Sequence, residues 1–236
     1  MSDTNNKLTV PIKLGISSTP SFGLRGKLQQ AQKEGTTLDN VANAKEKIII
    51  VADDSGSMDG VAMQQQKKAI AAFLEVCNPL DTAVGVTPMN RERINLTMVH
   101  PLILSKTSSW PDHGGGGTPM FKALQEALQQ SPTRVVLISD GQPMDGTAKQ
   151  YQYRHNDSSD TEVNPVLIKY QIARIKIDTV FVGSAEDNSA VQEMSAIAEL
   201  TGGMYIFFKE GESFAKQFKY LAPAYYAQLT AGTIKL

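Results

Sequence analysis

Three short segments of this chain carry oxygen donors at spacings that suit a hard cation. Asp53-Asp54-Ser55-Gly56-Ser57-Met58 follows an apolar run, Gly116-Gly117-Thr118-Pro119 precedes a helical pattern, and Ser139-Asp140-Gly141 follows a second apolar run. Together they offer two carboxylates, Asp53 and Asp140, and three hydroxyls, Ser55, Ser57 and Thr118. No imidazole or thiolate accompanies them. That inventory suits Mg2+, with Mn2+ or Ca2+ as alternatives, rather than zinc or copper. Octahedral Mg2+ takes about six oxygens and keeps some of them as water. An open position could therefore accept an acidic group from another molecule.

The elements that must position these donors can be read from hydrophobic periodicity. Residues 47–52 form a continuous Ile/Val run of the kind found in strands buried on both faces. Val61–Val76 has helical spacing, with Ile70, Phe73, Leu74 and Cys77 at i, i+3, i+4 and i+7. Residues 83–86 and 94–104 read as two strands joined by the polar turn Met89-Asn90-Arg91-Glu92, an antiparallel hairpin that places His100 in a strand. A helix begins at Pro119, which suits a first helical position, with Met120, Leu124 and Leu128 on one face. Residues 135–139 form another buried strand. Asn164-Pro165 opens a helix to about Arg174, residues 177–182 form a strand, and Ser189-Ala190-Val191-Gln192 fits a capping box. That helix carries Val191, Met194, Ala198 and Thr201 and stops at Gly202-Gly203, before a strand at 204–208. A last helix sets Phe214, Phe218 and Leu221 on one face, and Pro223 should kink or restart it. Strands alternating with helices predict an α/β fold: a mostly parallel sheet with helices on both faces. In such a sheet, ligands bind beyond the carboxyl ends of the strands, where the three donor segments would meet.

Asp53-x-Ser55-x-Ser57, a threonine in a Gly-Gly-Thr loop and Asp140 after a strand, in this order on these elements, resemble the von Willebrand factor type A (VWA) domain. They match its metal-ion-dependent adhesion site (MIDAS), D-x-S-x-S…T…D, at all five positions, and the resemblance covers roughly residues 45–230. It implies a Rossmann-like three-layer fold, whose six-stranded sheet has one antiparallel edge strand. It also implies that Ser55, Ser57 and Thr118 ligate the cation directly or through water, with Asp53 and Asp140 acting largely through water. A partner's Glu or Asp would take the sixth position, making this a cation-dependent protein-binding domain rather than an enzyme. Members of the family without signal peptides often work beside AAA+ ATPases or in multi-protein assemblies. The resemblance leaves residues 1–44 and an insert at about 142–163 unexplained. The first reads as a partly ordered extension packed on the domain, with a strand near 8–14 and a helix near 24–32.

Composition excludes several other classes. The chain has 236 residues, 41% of them hydrophobic, enough for one large domain or two small ones. A net charge of −1 argues against direct nucleic-acid binding, which draws on Lys and Arg. The first residues lack the apolar stretch of a signal peptide, and no run approaches the ~20 residues that span a bilayer. The expectation is a soluble cytoplasmic protein with no membrane contact. Cys77, the only cysteine, lies in an apolar run and reads as a buried structural thiol. Residues 114–117 are glycines, but no Lys precedes Thr118, so they do not form a P-loop; they read as allowing close approach and positive φ.

The alternative reading is a hydrolase or phosphotransferase using the same cation as a Lewis acid. Its base could come only from Asp54, read here as an exposed neighbour, or His113, which lies just before the glycines. A D-x-D phosphatase start is not matched, since the second aspartate is one place early. A further alternative is a component of a nucleic-acid-associated complex. Candidate partner contacts are Trp110, expected to be partly exposed, together with His113 and the insert's Tyr151, Tyr153 and Arg154, because Tyr, Trp and Arg are favoured in binding surfaces.

Overall fold

The computed structural model describes residues 38–98, 100–152, 160–183, 187–208, 214–223, 225–226 and 231–232. In chain order the helices are α1 (Leu38–Ala42), α2 (Val61–Val76), α3 (His100–Ser108), α4 (Met120–Leu128), α5 (Pro165–Ala173), α6 (Asn188–Thr201) and α7 (Phe214–Phe218). The strands are β1 (Glu46–Ala52), β2 (Thr82–Pro88), β3 (Ile94–Thr97), β4 (Arg134–Ser139), β5 (Lys149–Gln152), β6 (Asp160–Val163), β7 (Lys176–Val182) and β8 (Tyr205–Phe208). Six strands form one sheet in the order β3-β2-β1-β4-β7-β8. β3 is antiparallel to β2 at one edge, and the other neighbours are parallel.

The run Ile48–Ile49–Ile50–Val51–Ala52 shows why the strands are apolar throughout. Side chains alternate across a strand, so Ile48, Ile50 and Ala52 pack on one face with Met63, Ile70 and Phe73 of α2. Ile49 and Val51 pack on the other with Met120 and Leu124 of α4, Leu167 and Tyr170 of α5, and Met194 of α6. Both faces are covered, giving three layers. Each fully buried Ile or Phe contributes about 1.5–3 kcal/mol relative to exposure. Cys77 is buried at the end of α2.

Several expectations change. The second strand of the edge hairpin ends at Thr97, and residues 100–108 form α3 rather than continuing it. Pro101 falls in the first turn, where a missing N–H costs nothing. Within the stretch expected to continue the strand, Ile103 is buried while Leu102 is 47% exposed. Thr107 hydrogen-bonds back to the Ile103 carbonyl at 2.8 Å, a helical contact. His100 is therefore helical. The cap of α6 is Asp187, whose carboxylate accepts from the Ala190 N–H at 3.2 Å, and Ser189 lies inside the helix. Pro119 precedes α4 at its cap position. The insert carries a two-stranded antiparallel sheet, β5–β6, separate from the main one. The last helix ends at Phe218, continues as a 3-10 turn over Lys219–Leu221, and turns extended at Ala222, before Pro223. The strand near 8–14 and the helix near 24–32 lie outside the described residues.

Candidate metal centre

Asp53 begins the loop after β1, and its N–H still donates to the Ile138 carbonyl of β4 at 3.0 Å. The parallel register that sets Ala52 beside Ile138 brings Asp53 beside Ser139. The Ser139 hydroxyl donates to Asp53 Oδ2 at 2.5 Å, and the Ser55 N–H donates to Oδ1 at 2.9 Å. Gln66 of α2 donates its amide to the Asp53 carbonyl at 2.9 Å. Asp53 is fully buried, and its side chain is fixed in direction at both oxygens.

Residues Gly56–Met58 form a 3-10 turn that carries Ser57 toward β4. The Ser55 and Ser57 hydroxyls lie 3.0 Å apart, and the Ser57 hydroxyl donates to Asp140 Oδ1 at 2.9 Å. Burial raises the Asp53 carboxyl above its ordinary range, although the Ser139 and Ser55 hydrogen bonds work in the opposite direction. Burial also pushes Asp140 up to about 6, opposed by the Ser57 hydrogen bond and reinforced by the charge of Asp53. Two carboxylates thus approach one another in a partly desolvated crevice. Among the described residues, no Lys, Arg or His forms an ion pair with either.

Thr118 follows the glycine loop, which packs against the turn after Asp53. A Cβ on Gly114 would lie 1.8 Å from the Ser55 carbonyl oxygen, so only glycine lets the loop run against that turn. The Gly115 N–H donates to the Asp54 carbonyl at 2.9 Å, and Gly116 has φ +78°, a left-handed conformation. The loop after Asp140 holds Thr118 from the other side: the Met144 N–H donates to the Thr118 carbonyl at 2.9 Å. Thr118 is 6% exposed.

The donor set fits a hard cation. It combines hydroxyls with carboxylates whose charge is unfavourable where they stand, the condition a bound dication relieves. Asp53, Ser55, Ser57 and Asp140 are joined by direct hydrogen bonds, and Thr118 follows the glycine loop that packs against the Asp54–Ser55 turn. Among the described residues there is no group of three or more His, Cys, Asp or Glu, as a zinc site would use.

The expected partner contacts fare differently. Trp110 is 9% exposed and belongs to the core on the α2 face, so it is not the partly exposed residue expected. Its ring lies under the Arg91 guanidinium, with Cζ 5.7 Å from the centroid. His113 is exposed, and its carbonyl accepts from Arg91 Nη2 at 2.8 Å. Tyr151 lies in β5 opposite Thr161. Tyr153 and Arg154 lie outside the described residues.

Asp54, expected to be exposed, is 0% exposed and sits 3.0 Å from Arg91 Nη1. Sequence reasoning also passed over Ser139, Gln66 and Asn90 as supports of the site. A usable signal for Ser139 was its place beside Asp140 at the end of a strand parallel to β1. The signal for Asp54 was an acid with no surface pattern around it.

Residues 48–142 match the family model of the von Willebrand factor type A domain. No curated protein matches the chain in sequence. Among solved structures, the chain is similar to an aerotolerance-related membrane protein from Bacteroides fragilis, at TM-score 0.54 and 14% identity, over 79% of this chain and 99% of that one. BatB from Bacteroides thetaiotaomicron gives TM-score 0.54 and 15% identity, over 79% and 99%. The VWA domain of SpRpn10 gives TM-score 0.53 and 15% identity, over 75% and 95%. At these identities the likeness is one of fold. No helix among the described residues is long and apolar enough to cross a membrane.

Proposed function

We propose that the chain is a VWA domain, from about residue 45 onward, that binds a protein partner through a divalent cation at a complete MIDAS. The matched segment contains all five candidate ligands, Asp53, Ser55, Ser57, Thr118 and Asp140. VWA domains are in general protein-interaction modules, which favours a binding role over catalysis. The observation that carries the reading is the hydrogen-bonded run Ser139–Asp53–Ser55 and Ser55–Ser57–Asp140 in a crevice without a cation of its own among the described residues.

Mg2+ would be held by Ser55, Ser57 and Thr118, with Asp53 and Asp140 accepting from its waters. When bound, it supplies a Lewis-acidic position for a partner's Asp or Glu. The protein's own residues do the rest. Ser139 and the Ser55 N–H fix Asp53, Asp53 orients the Ser55 turn, and the Gly114–Gly117 loop delivers Thr118. The domain would act as an assembly or adaptor component in the cytoplasm, with an AAA+ ATPase as one kind of neighbour. The hydrolase alternative draws no support from Asp54, which is engaged with Arg91 and Asn90 rather than free to act as a base.

Affinity capture with wild type and Thr118→Ala, each in Mg2+ and in EDTA, tests this. The expected result is a partner recovered only by wild type in Mg2+, while far-UV circular dichroism is unchanged by the substitution. Equal recovery in all four conditions would overturn the reading.

A further inference from the structure

Beside the donor set lies a second group of side chains that its chemistry does not use. Asp54 is 0% exposed, an expensive place for a carboxylate without partners. Its Oδ1 accepts from the Asn90 main-chain N–H at 2.8 Å and from the Asn90 side-chain amide at 3.1 Å. Its Oδ2 faces Arg91 Nη1 at 3.0 Å, a charge contact rather than an aligned hydrogen bond.

Both partners reach onward to the glycine loop. Asn90 Nδ2 donates to the Gly117 carbonyl at 2.8 Å, and Arg91 Nη2 donates to the His113 carbonyl at 2.8 Å. The Asp54 carbonyl itself accepts from the Gly115 N–H at 2.9 Å. The loop is therefore held at its start, middle and end by one residue and the two side chains it orients. Gly117 directly precedes Thr118. The β2–β3 turn that supplies Asn90 and Arg91 contributes none of the five candidate ligands, so its contacts need a different explanation.

We infer that Asp54, Asn90 and Arg91 are positioning residues that set the Gly114–Gly117 loop so that Thr118 can serve the cation. The inference rests on the metal-site reading above. Neutralising Asp54 or shortening Asn90 releases the Gly117 carbonyl, and removing the Arg91 charge releases the His113 end. Supports one step removed from a metal typically change its affinity 10–100-fold when lost.

The test is Mn2+ binding by wild type, Asp54→Asn, Asn90→Ala and Arg91→Gln, each also in a Thr118→Ala background. Binding is followed by loss of the free-ion electron paramagnetic resonance signal. Asn90 is exposed and Arg91 is 22% exposed at its side chain, so those two variants remain informative if Asp54→Asn fails to fold. Each substitution should weaken Mn2+ binding about 10-fold. In the Thr118→Ala background the same substitutions should change it little, because they act through that residue. A merely structural role would lower the melting temperature without that dependence on Thr118. If Thr118→Ala weakens binding while Asn90→Ala and Arg91→Gln leave it unchanged, or if their effects add in full to that of Thr118→Ala, this inference fails and the metal site stands. If wild type does not bind Mn2+, the metal-site reading fails and takes the inference with it.

Discussion

Asp178 at one end of the sheet and the Asp53–Asp140 pair at the other are carboxylates held in opposite ways, although Asp54 beside that pair has an ion partner in Arg91. Near the amino end of β4, Arg134 Nη1 donates to Asp178 Oδ2 of β7 at 3.0 Å, and Nη2 donates to the Leu221 carbonyl at 2.5 Å. The Met204 N–H and the Tyr226 hydroxyl donate to Asp178 Oδ1 at 2.8 and 3.1 Å, and the guanidinium stacks over the Tyr226 ring at 3.8 Å. Burial and the Asp178 charge push the Tyr226 phenol up, keeping it protonated as a donor. At the carboxyl end, Asp53 and Asp140 have hydroxyl and main-chain donors but no ion pair among the described residues. One end is a closed ionic cluster that ties the C-terminal segment to the sheet. The other has no such cation among the described residues, and on the function proposed above its counter-charge would arrive from outside.

The strongest way to break this contrast is Arg134→Met. It leaves Asp178 charged and buried without its cation, which should cost about 3–5 kcal/mol of stability. Urea denaturation in EDTA measures the loss. Adding Asp178→Asn to the same chain should recover part of it, and cation affinity of the folded protein should not move. A weakened cation affinity in Arg134→Met would mean that the two ends are coupled.

Asp140→Asn is the matching change at the open end, with a smaller expected effect of a different kind. Removing a carboxylate that burial already disfavours should leave the metal-free protein at least as stable as wild type. The difference emerges on adding Mg2+. At a hundred times its dissociation constant, a ligand stabilises the folded state by about 2.7 kcal/mol. Wild type should gain that increment in a thermal melt, and Asp140→Asn should gain little of it. Equal gains in both proteins would remove Asp140 from the site.

The same contrast explains which parts were legible in the sequence. The core strands were readable because 47–52 and 135–139 are apolar on both faces, and only a sheet covered on both sides uses such runs. The donor segments stood out because Asp53, Ser55, Ser57, Thr118 and Asp140 fall at strand ends and a helix start, and the structure joins four of them by hydrogen bonds. What could not be read was partnership across long separations. Asp54 lies 36 residues from Asn90 and 37 from Arg91 in sequence, and nothing local marks them as partners. Trp110 was misplaced for a more local reason: it packs in the cluster that holds Ile103 of α3, and Leu102-Ile103-Leu104 suits a strand as well as a helix until Thr107 closes onto Ile103. Arg134 stands just before the run read as a strand, 135–139, and nothing local marks it, because its partners Asp178 and Leu221 come from far along the chain.

The smallest expected effect sharpens the contrast most finely, because it concerns how the open end is held. Helix α4 begins without a side-chain cap of its own, as Pro119 stands at the cap position. Asp145, from the loop after Asp140, supplies one: its carboxylate accepts from the Phe121 N–H at 3.2 Å and the Lys122 N–H at 2.7 Å. A carboxylate at a helix start satisfies free N–H groups and complements the helix dipole. Its neighbour Met144 holds the Thr118 carbonyl, so the loop carrying Asp140 and the loop carrying Thr118 are fastened together at this point. Asp145→Ala should cost about 1 kcal/mol in urea denaturation, the usual size of a lost cap. If the fastening serves the cation, Mn2+ affinity should fall as well, and Asp145→Asn, which keeps an acceptor oxygen, should restore most of both. A stability loss with unchanged affinity would show that Asp145 caps α4 and that Met144 suffices to hold Thr118.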